Sequence, residues 1–174
     1  MENGSKFHLV TLGCPKNEVD SEKIAGTLFA DGMESTDHPD DADLIVVNTC
    51  AFVEEAREES IETILSLAEF RNEKSKIVVT GCLAERYGGE IQDSLPEVDH
   101  VAGFGVPVSL TRKTDVPELD LLNLPRPASD KPWAYLKIAE GCDRACGYCS
   151  IPSFRGPQRS RSKNAIIEEV EALQ

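Results

Sequence analysis

Several things are missing from this chain of 174 residues, and each absence excludes a class. No apolar run approaches the ~20 residues that a membrane-spanning helix needs, so no membrane partner is expected. Met1–Lys6 is polar and lacks the basic-then-apolar layout of a secretory leader, so a cytoplasmic protein is expected. Cysteines there stay reduced, and the six in this chain point to metal binding or chemistry before disulfides. Histidine is scarce: only His8, His38 and His100 occur, none near the cysteine-rich stretch at 142–149. Cations are scarce over most of the length. Residues 1–125 hold 25 Asp and Glu against 10 Lys and Arg, a balance of -15, whereas residues 126–174 hold 6 against 8, a balance of +2. A front part with so few cations repels a phosphate backbone, so direct nucleic-acid binding by this portion is not expected. It suits a basic protein partner, or is simply a solvated acidic surface. There is no internal repeat and no low-complexity tract.

With 40% hydrophobic residues the chain can build a core, in one or two domains. Short apolar runs alternate with helix-period segments over the first 113 residues. Strands are expected at Phe7–Leu12, Leu44–Asn48, Ile77–Thr80 and His100–Ala102. Helices are expected at Glu18–Ala30, burying Val19, Ile24, Leu28 and Phe29, and at Phe52–Phe70, with Val53, Ala56, Ile61, Ile64, Leu65 and Ala68 on one side. A third, at Ala84–Leu95, is interrupted by Gly88-Gly89. This alternation predicts an α/β fold with a doubly wound parallel sheet. Pro117, Pro125, Pro127 and Pro132 mark an interdomain linker over 114–131. The expected division is thus 6–113, a linker at 114–131, and a second unit at 132–174. That unit should hold a strand at Trp133–Ala139, a cysteine loop, and a helix from Asn164 to the end.

The cysteines fall into two sets. Cys142, Cys146 and Cys149 form C-x3-C-x2-C after an expected strand. Three thiolates this close can cap three irons of a four-iron, four-sulfur cubane and leave the fourth iron open to a small molecule. A structural zinc site would ask for a fourth ligand and usually paired C-x2-C knuckles. Cys14, Cys50 and Cys82 are distant in sequence, but each lies just past an expected strand, in Leu12-Gly13-Cys14, Asn48-Thr49-Cys50 and Thr80-Gly81-Cys82. In a parallel sheet all carboxyl ends share one edge, where ligands bind, so these three should converge there. Gly13 and Gly81 would let the backbone turn tightly beside an inorganic core. Three buried structural cysteines are the competing reading.

Gly13-Cys14-Pro15-Lys16-Asn17, Asn48-Thr49-Cys50, Thr80-Gly81-Cys82 and Glu140-Gly141-Cys142-x3-Cys146-x2-Cys149 together resemble the radical S-adenosylmethionine methylthiotransferases. Pro15-Lys16-Asn17 and the run Ile151–Arg161 resemble the RimO branch, which modifies an aspartate of a small-subunit ribosomal protein. The resemblance spans about Lys6 to Gln174. It implies two 4Fe-4S clusters, with Cys142, Cys146 and Cys149 holding the one that binds S-adenosyl-L-methionine and cleaves it to a radical. It implies that Cys14, Cys50 and Cys82 hold an auxiliary cluster carrying the sulfur to be inserted. It also implies a basic ribosomal protein as substrate and a separate electron-donor protein. Tyr148 would lie near the cofactor's adenine, or be a packing aromatic. Arg155, Arg159 and Arg161 would favour a carboxylate of cofactor or substrate, or form a solvated basic loop. The family's radical domain is a partial (β/α) barrel, and only its truncated start is expected here, so the chain is expected to be a fragment, inactive alone. Two rivals remain: the same chemistry on a tRNA adenosine, as in the MiaB branch, and a non-catalytic iron–sulfur or zinc module.

Overall fold

The structure is a computed structural model and describes residues 4–104, 108, 121–128 and 131–173. Much of the expected linker 114–131 lies outside these residues. Five strands form one parallel sheet: β1 (Lys6–Thr11), β2 (Glu34–Ser35), β3 (Leu44–Thr49), β4 (Lys76–Gly81) and β5 (His100–Ala102), in the order β2-β1-β3-β4-β5. Phe7 pairs with Leu44 and Leu44 with Lys76, so β1, β3 and β4 advance in step and end together. β3 is buried at every position, which explains its unbroken Leu44-Ile45-Val46-Val47 run.

Helices cover both faces. α1 (Pro15–Ala30) packs with Phe7, Leu44, Val46 and Val78 through Ile24 and Leu28. α2 (Glu54–Phe70) and α3 (Cys82–Ser94) pack with Ile45, Val47, Ile77 and Val79 through Ile64, Leu67, Leu83 and Ile91. Alternate residues of β3 and β4 thus feed opposite cores, and the doubly wound α/β expectation holds. α1 begins three residues earlier than expected because Pro15, with no N–H to lose, occupies its first turn. Tyr87, just before Gly88-Gly89, breaks α3 with non-helical φ/ψ of -128° and 22°.

Three details differ from expectation. Phe29 is 42% exposed and meets Phe7 edge-on at 5.2 Å. On α2 the buried stripe is Ser60, Ile64 and Leu67, while Val53, Ile61 and Leu65 face outward. The stripe keeps i, i+4, i+7 spacing but contains a serine, which hydrophobic periodicity cannot register. The expected strand Trp133–Ala139 is reduced to β6 (Ala139–Glu140), paired antiparallel with β7 (Arg159–Ser160), because among the described residues no parallel neighbour lies beside it.

Between these strands lies a short helix, α4 (Ile151–Arg155), and after them α5 (Lys163–Ala172), whose Ser162 accepts the N–H of Ala165 as an N-cap. Phe154 of α4 sits in the α2–α3 core with Leu83 and Ala84 and is only 4% exposed. On the other side, Lys23 of α1 is wholly buried and donates to the carbonyl of Leu122 at 2.6 Å and to Glu169 of α5 at 3.3 Å. Arg126 and Arg161 also pair with Glu169, the former at 2.9 Å. The later residues are therefore clamped to the sheet domain on both faces.

Candidate functional site

β1, β3 and β4 end nearly level; β3 and β4 pass directly into Cys50 and Cys82, and β1 reaches Cys14 through Leu12-Gly13. The sheet order changes direction between β1 and β3, so the loops from these strands flank the crevice where parallel α/β sheets receive ligands. Cys14 comes off β1, Cys50 off β3, and Cys82 off the adjoining β4. Two glycines are obligatory here. Gly13 has φ of +89°, and a Cβ on it would lie 2.8 Å from Cys50 Sγ. Gly81 has φ of +91°, and a Cβ there would lie 2.3 Å from Asn48 Oδ1 and 2.5 Å from the Thr49 carbonyl.

Asn17, in the first turn of α1, ties the loops together. Its Nδ2 donates to the carbonyls of Leu12 at 2.9 Å and Thr49 at 3.0 Å, spanning the Cys14 and Cys50 loops. Asn48 Nδ2 returns a bond to the Asn17 carbonyl at 2.9 Å. Ser60 Oγ of α2 accepts the N–H of Cys50 at 3.2 Å and lies 3.1 Å from its carbonyl, so it fixes that residue's backbone. Cys14 is exposed, whereas Cys50 and Cys82 are buried. Burial pushes the Cys82 thiol up, the charge and hydrogen bond of Arg155 pull it down, and Cys50 and Cys14 push it up again. That mutual influence is what thiols gathered at one edge should exert.

The second set occupies the loop between β6 and α4. Gly141, at φ of +79°, lies so close to the 156–157 backbone that a Cβ would fall 2.1 Å from the Pro157 carbonyl. Cys142 N–H donates to the Gly156 carbonyl at 3.0 Å, and Gln158 N–H to Asp143 at 2.9 Å, so the loop is braced across its base. Cys146 is exposed, and Cys142 and Cys149 are half-buried. Tyr148 is 94% exposed beside them, so it packs in no core among the described residues.

A buried ionic lattice joins the two sets. Arg155, 4% exposed, places Nη1 2.9 Å from Asp20 and 2.8 Å from Glu140, and Nη2 2.7 Å from Asn17 Oδ1 and 3.3 Å from Cys82 Sγ. Lys137 contacts Asp20 and Glu140, the latter at 2.7 Å, and Lys16 reaches Glu140 at 3.1 Å. Burial opposes ionisation of Glu140, but Arg155 and Lys137 outweigh it and hold its pKa at about 2. Arg155 itself is raised, its desolvation outweighed by Asp20, Cys82 and Glu140. Arg155, Arg159 and Arg161 therefore have three different settings. Arg155 is enclosed in the lattice, Arg159 is exposed on β7, and Arg161 bonds the carbonyls of Lys137 and Ala165 at 3.1 and 3.2 Å as well as Glu169. Asp20, Ser60 and Lys137 gave no sign of these roles in the sequence, since each looks like an ordinary surface residue of its type. Asn17 and Glu140 stand inside the Gly13–Asn17 and Glu140–Cys149 motifs, whose spacing gives no indication of their partners.

Among the described residues, no three His, Cys, Asp or Glu side chains close on one point as a single-ion site would require. The chemistry of the donors is all-thiol in both sets, with glycine cradles beside them, and fits a polynuclear iron–sulfur core whose thiolates sit on separate irons. A cavity of 320 Å³ between α2 and α3, lined by Arg57, Ile61, Leu83, Tyr87 and Ile91 among others, contains no cysteine.

This sheet, with cysteines at the ends of three neighbouring strands, defines a parallel α/β domain with a thiol-lined ligand edge. The chain belongs to the family described as uncharacterized protein family UPF0004, which matches residues 6–103, the whole of the five-stranded sheet. It is 43% identical over 97% of its length to the ribosomal protein uS12 methylthiotransferase RimO of Solibacter usitatus. It is 45% identical to that of an Anaeromyxobacter species and 44% to that of a Sulfurihydrogenibium species, again over 97% of the chain. In each case it spans 39% of the relative's length. The resemblance to the RimO branch is thereby borne out. Among the described residues no helix is long and apolar enough to cross a membrane.

Proposed function

We propose that this chain is the cluster-bearing portion of a methylthiotransferase that modifies an aspartate of a basic small-subunit ribosomal protein in the cytoplasm. The observation that carries the reading is the level ending of β1, β3 and β4 just before Cys14, Cys50 and Cys82, in a chain similar to ribosomal protein uS12 methylthiotransferases. Residues 6–113 form the unit that holds one cluster and residues 132–174 begin the unit that holds the other, with 114–131 between them. Cys14, Cys50 and Cys82 would hold the auxiliary 4Fe-4S cluster, and Cys142, Cys146 and Cys149 the one that binds S-adenosyl-L-methionine. When bound, these groups supply one-electron chemistry, the sulfur and the methyl group.

The chain's own residues supply geometry and charge. Gly13 and Gly81 let backbone approach the first set, and Asn17 and Ser60 hold its loops in place. Gly141 and the Gly156 carbonyl brace the second. Tyr148, exposed at the loop, is available to stack on the cofactor's adenine. Arg161 is spent on Glu169 and on backbone carbonyls, so it orients the start of α5. The acidic surface of residues 1–125 favours a basic protein over a polyanion, because it has few cations with which to displace the ions around phosphate. An electron-donor protein is required as a partner.

Two measurements test this. Anaerobic reconstitution of the full-length protein should give about eight irons, in two cubanes, and zinc in their place would sink the reading. Expression in a cell lacking both methylthiotransferase activities should add a methylthio group in place of one hydrogen on the ribosomal protein. Methylthioadenosine in tRNA with an unmodified ribosomal protein would overturn the substrate assignment.

A further inference from the structure

We propose that Arg155 is a positioning residue that sets the reduction potential of the Cys14/Cys50/Cys82 cluster, and that Asp20 tunes this effect; the proposal rests on the reading of these cysteines as cluster ligands. Arg155 comes from α4, beyond the second cysteine set, yet its guanidinium ends 3.3 Å from the sulfur of Cys82 in the first set. Its side chain thus reaches a cysteine sulfur directly. The guanidinium is enclosed, so water does not screen its charge from the thiolate.

The fork geometry explains why an arginine stands here. One nitrogen, Nη1, serves the two carboxylates of Asp20 and Glu140, and the other, Nη2, serves Asn17 and Cys82. A lysine has one nitrogen and cannot serve both sides. Phe104 lies against the guanidinium, with 4.4 Å from the Arg155 Cζ to the ring centroid, and holds its plane. In the enclosed part of the lattice Asp20 and Glu140 set two negative charges against Arg155 and Lys137, and Lys16 adds a third cation to Glu140 from a more exposed position. The bond to Asp20 already ties α4 to α1. The bond to Cys82 adds a second tie, to α3, and also places a positive charge on a prospective cluster ligand.

Hydrogen bonds to a cluster's sulfurs and nearby positive charge favour its reduced, more negative state. Asp20 partly neutralises Arg155, so the two residues act on the potential with opposite signs. Arg155 also bonds Glu140, two residues before Cys142, so the same side chain senses how the second loop is docked.

The test uses the full-length protein with Cys142, Cys146 and Cys149 changed to Ala, reconstituted with iron and sulfide, so that only the auxiliary cluster contributes. Its midpoint is read by electron paramagnetic resonance during titration with dithionite and mediators. Arg155→Gln should lower the reduced-to-oxidised ratio at fixed potential at least tenfold, a downward shift of about 59 mV for one electron. Asp20→Asn, nearly isosteric, should shift the midpoint upward. Should Arg155→Gln fail to retain a cluster, Arg155→Lys carries the same arm with a smaller downward shift. Midpoints that stay put, or that move the same way in the Arg155 and Asp20 variants, overturn the proposal while leaving the ligand assignment intact. A parent protein that binds no cluster overturns the ligand assignment and the proposal with it.

Discussion

Glu169 and Glu168 are neighbours on α5 that differ sharply in what they touch. Glu169 accepts from Lys23 at 3.3 Å, Arg126 at 2.9 Å and Arg161, with all four side chains 9% exposed or less. Glu168 is exposed. Changing Glu169 to Gln takes the shared carboxylate from three enclosed cations, and among the described residues Glu22 forms an ion pair with Arg126 but none with Lys23 or Arg161. Lys23 suffers most, because it is wholly buried and, among the described residues, would keep the Leu122 carbonyl as its acceptor. Removing one partner of a buried pair costs about 3–5 kcal/mol. The same change at Glu168 should stay within about 0.5 kcal/mol. In a chain of this length each kcal/mol moves the melting point by about 2–4 °C, so Glu169→Gln should lower it by roughly 6–20 °C. Urea unfolding of the iron-free, reduced protein at pH 7, with Glu168→Gln as control, measures the difference. If the two variants lie within about 1 kcal/mol of each other, the clamp between α1 and α5 contributes little, and the reasoning fails.

The pH dependence of that clamp follows from its signs. Burial opposes ionisation of Glu169, but Arg126, Lys23 and Arg161 lower its pKa below the ordinary value, so its stabilisation is complete above the unfolded carboxyl's pKa and fades as pH falls through the folded one. The gap between wild type and Glu169→Gln should therefore narrow on acidification, as followed by urea midpoints from pH 6 downward. Gly81→Ala should destabilise by at least about 2 kcal/mol in the same assay, because its positive φ is strained for alanine and the new methyl meets Asn48 and Thr49. An unchanged midpoint would mean the loop can shift freely. Ser60→Ala strands the Cys50 N–H in a buried site at about 1–3 kcal/mol. It should also speed iron loss to a chelator from the reconstituted protein, and equal rates would count against its role.

The strand-end cysteines were legible because strands, unlike side-chain contacts, announce themselves through local apolar runs. Leu44–Val47 and Ile77–Val79 placed the sheet, and the sheet placed Cys50 and Cys82 without further information. Residues whose roles depend on partners far away in sequence were not legible. Arg155, Arg159 and Arg161 share one residue type within seven positions, yet one is enclosed, one exposed and one bonded to backbone. Ser60 was invisible for a related reason, since periodicity scores hydrophobicity and Ser60 is buried for its hydroxyl. The strand at Trp133–Ala139 was overread, because a β-rich run needs a neighbour to pair with.

Phe154 bears on the order in which the protein is made. The family match ends at residue 103, but the core beside α3 includes the buried Phe154, about 50 residues later. At about 5–20 residues per second, a ribosome needs roughly 3–10 s to synthesise that interval. During it, the sheet can assemble while Leu83 and Ala84 still lack the ring that covers them. The buried thiol of Cys82 lies in the same cluster, so this delay is also a period in which that thiol stands open to solvent before Arg155 arrives beside it.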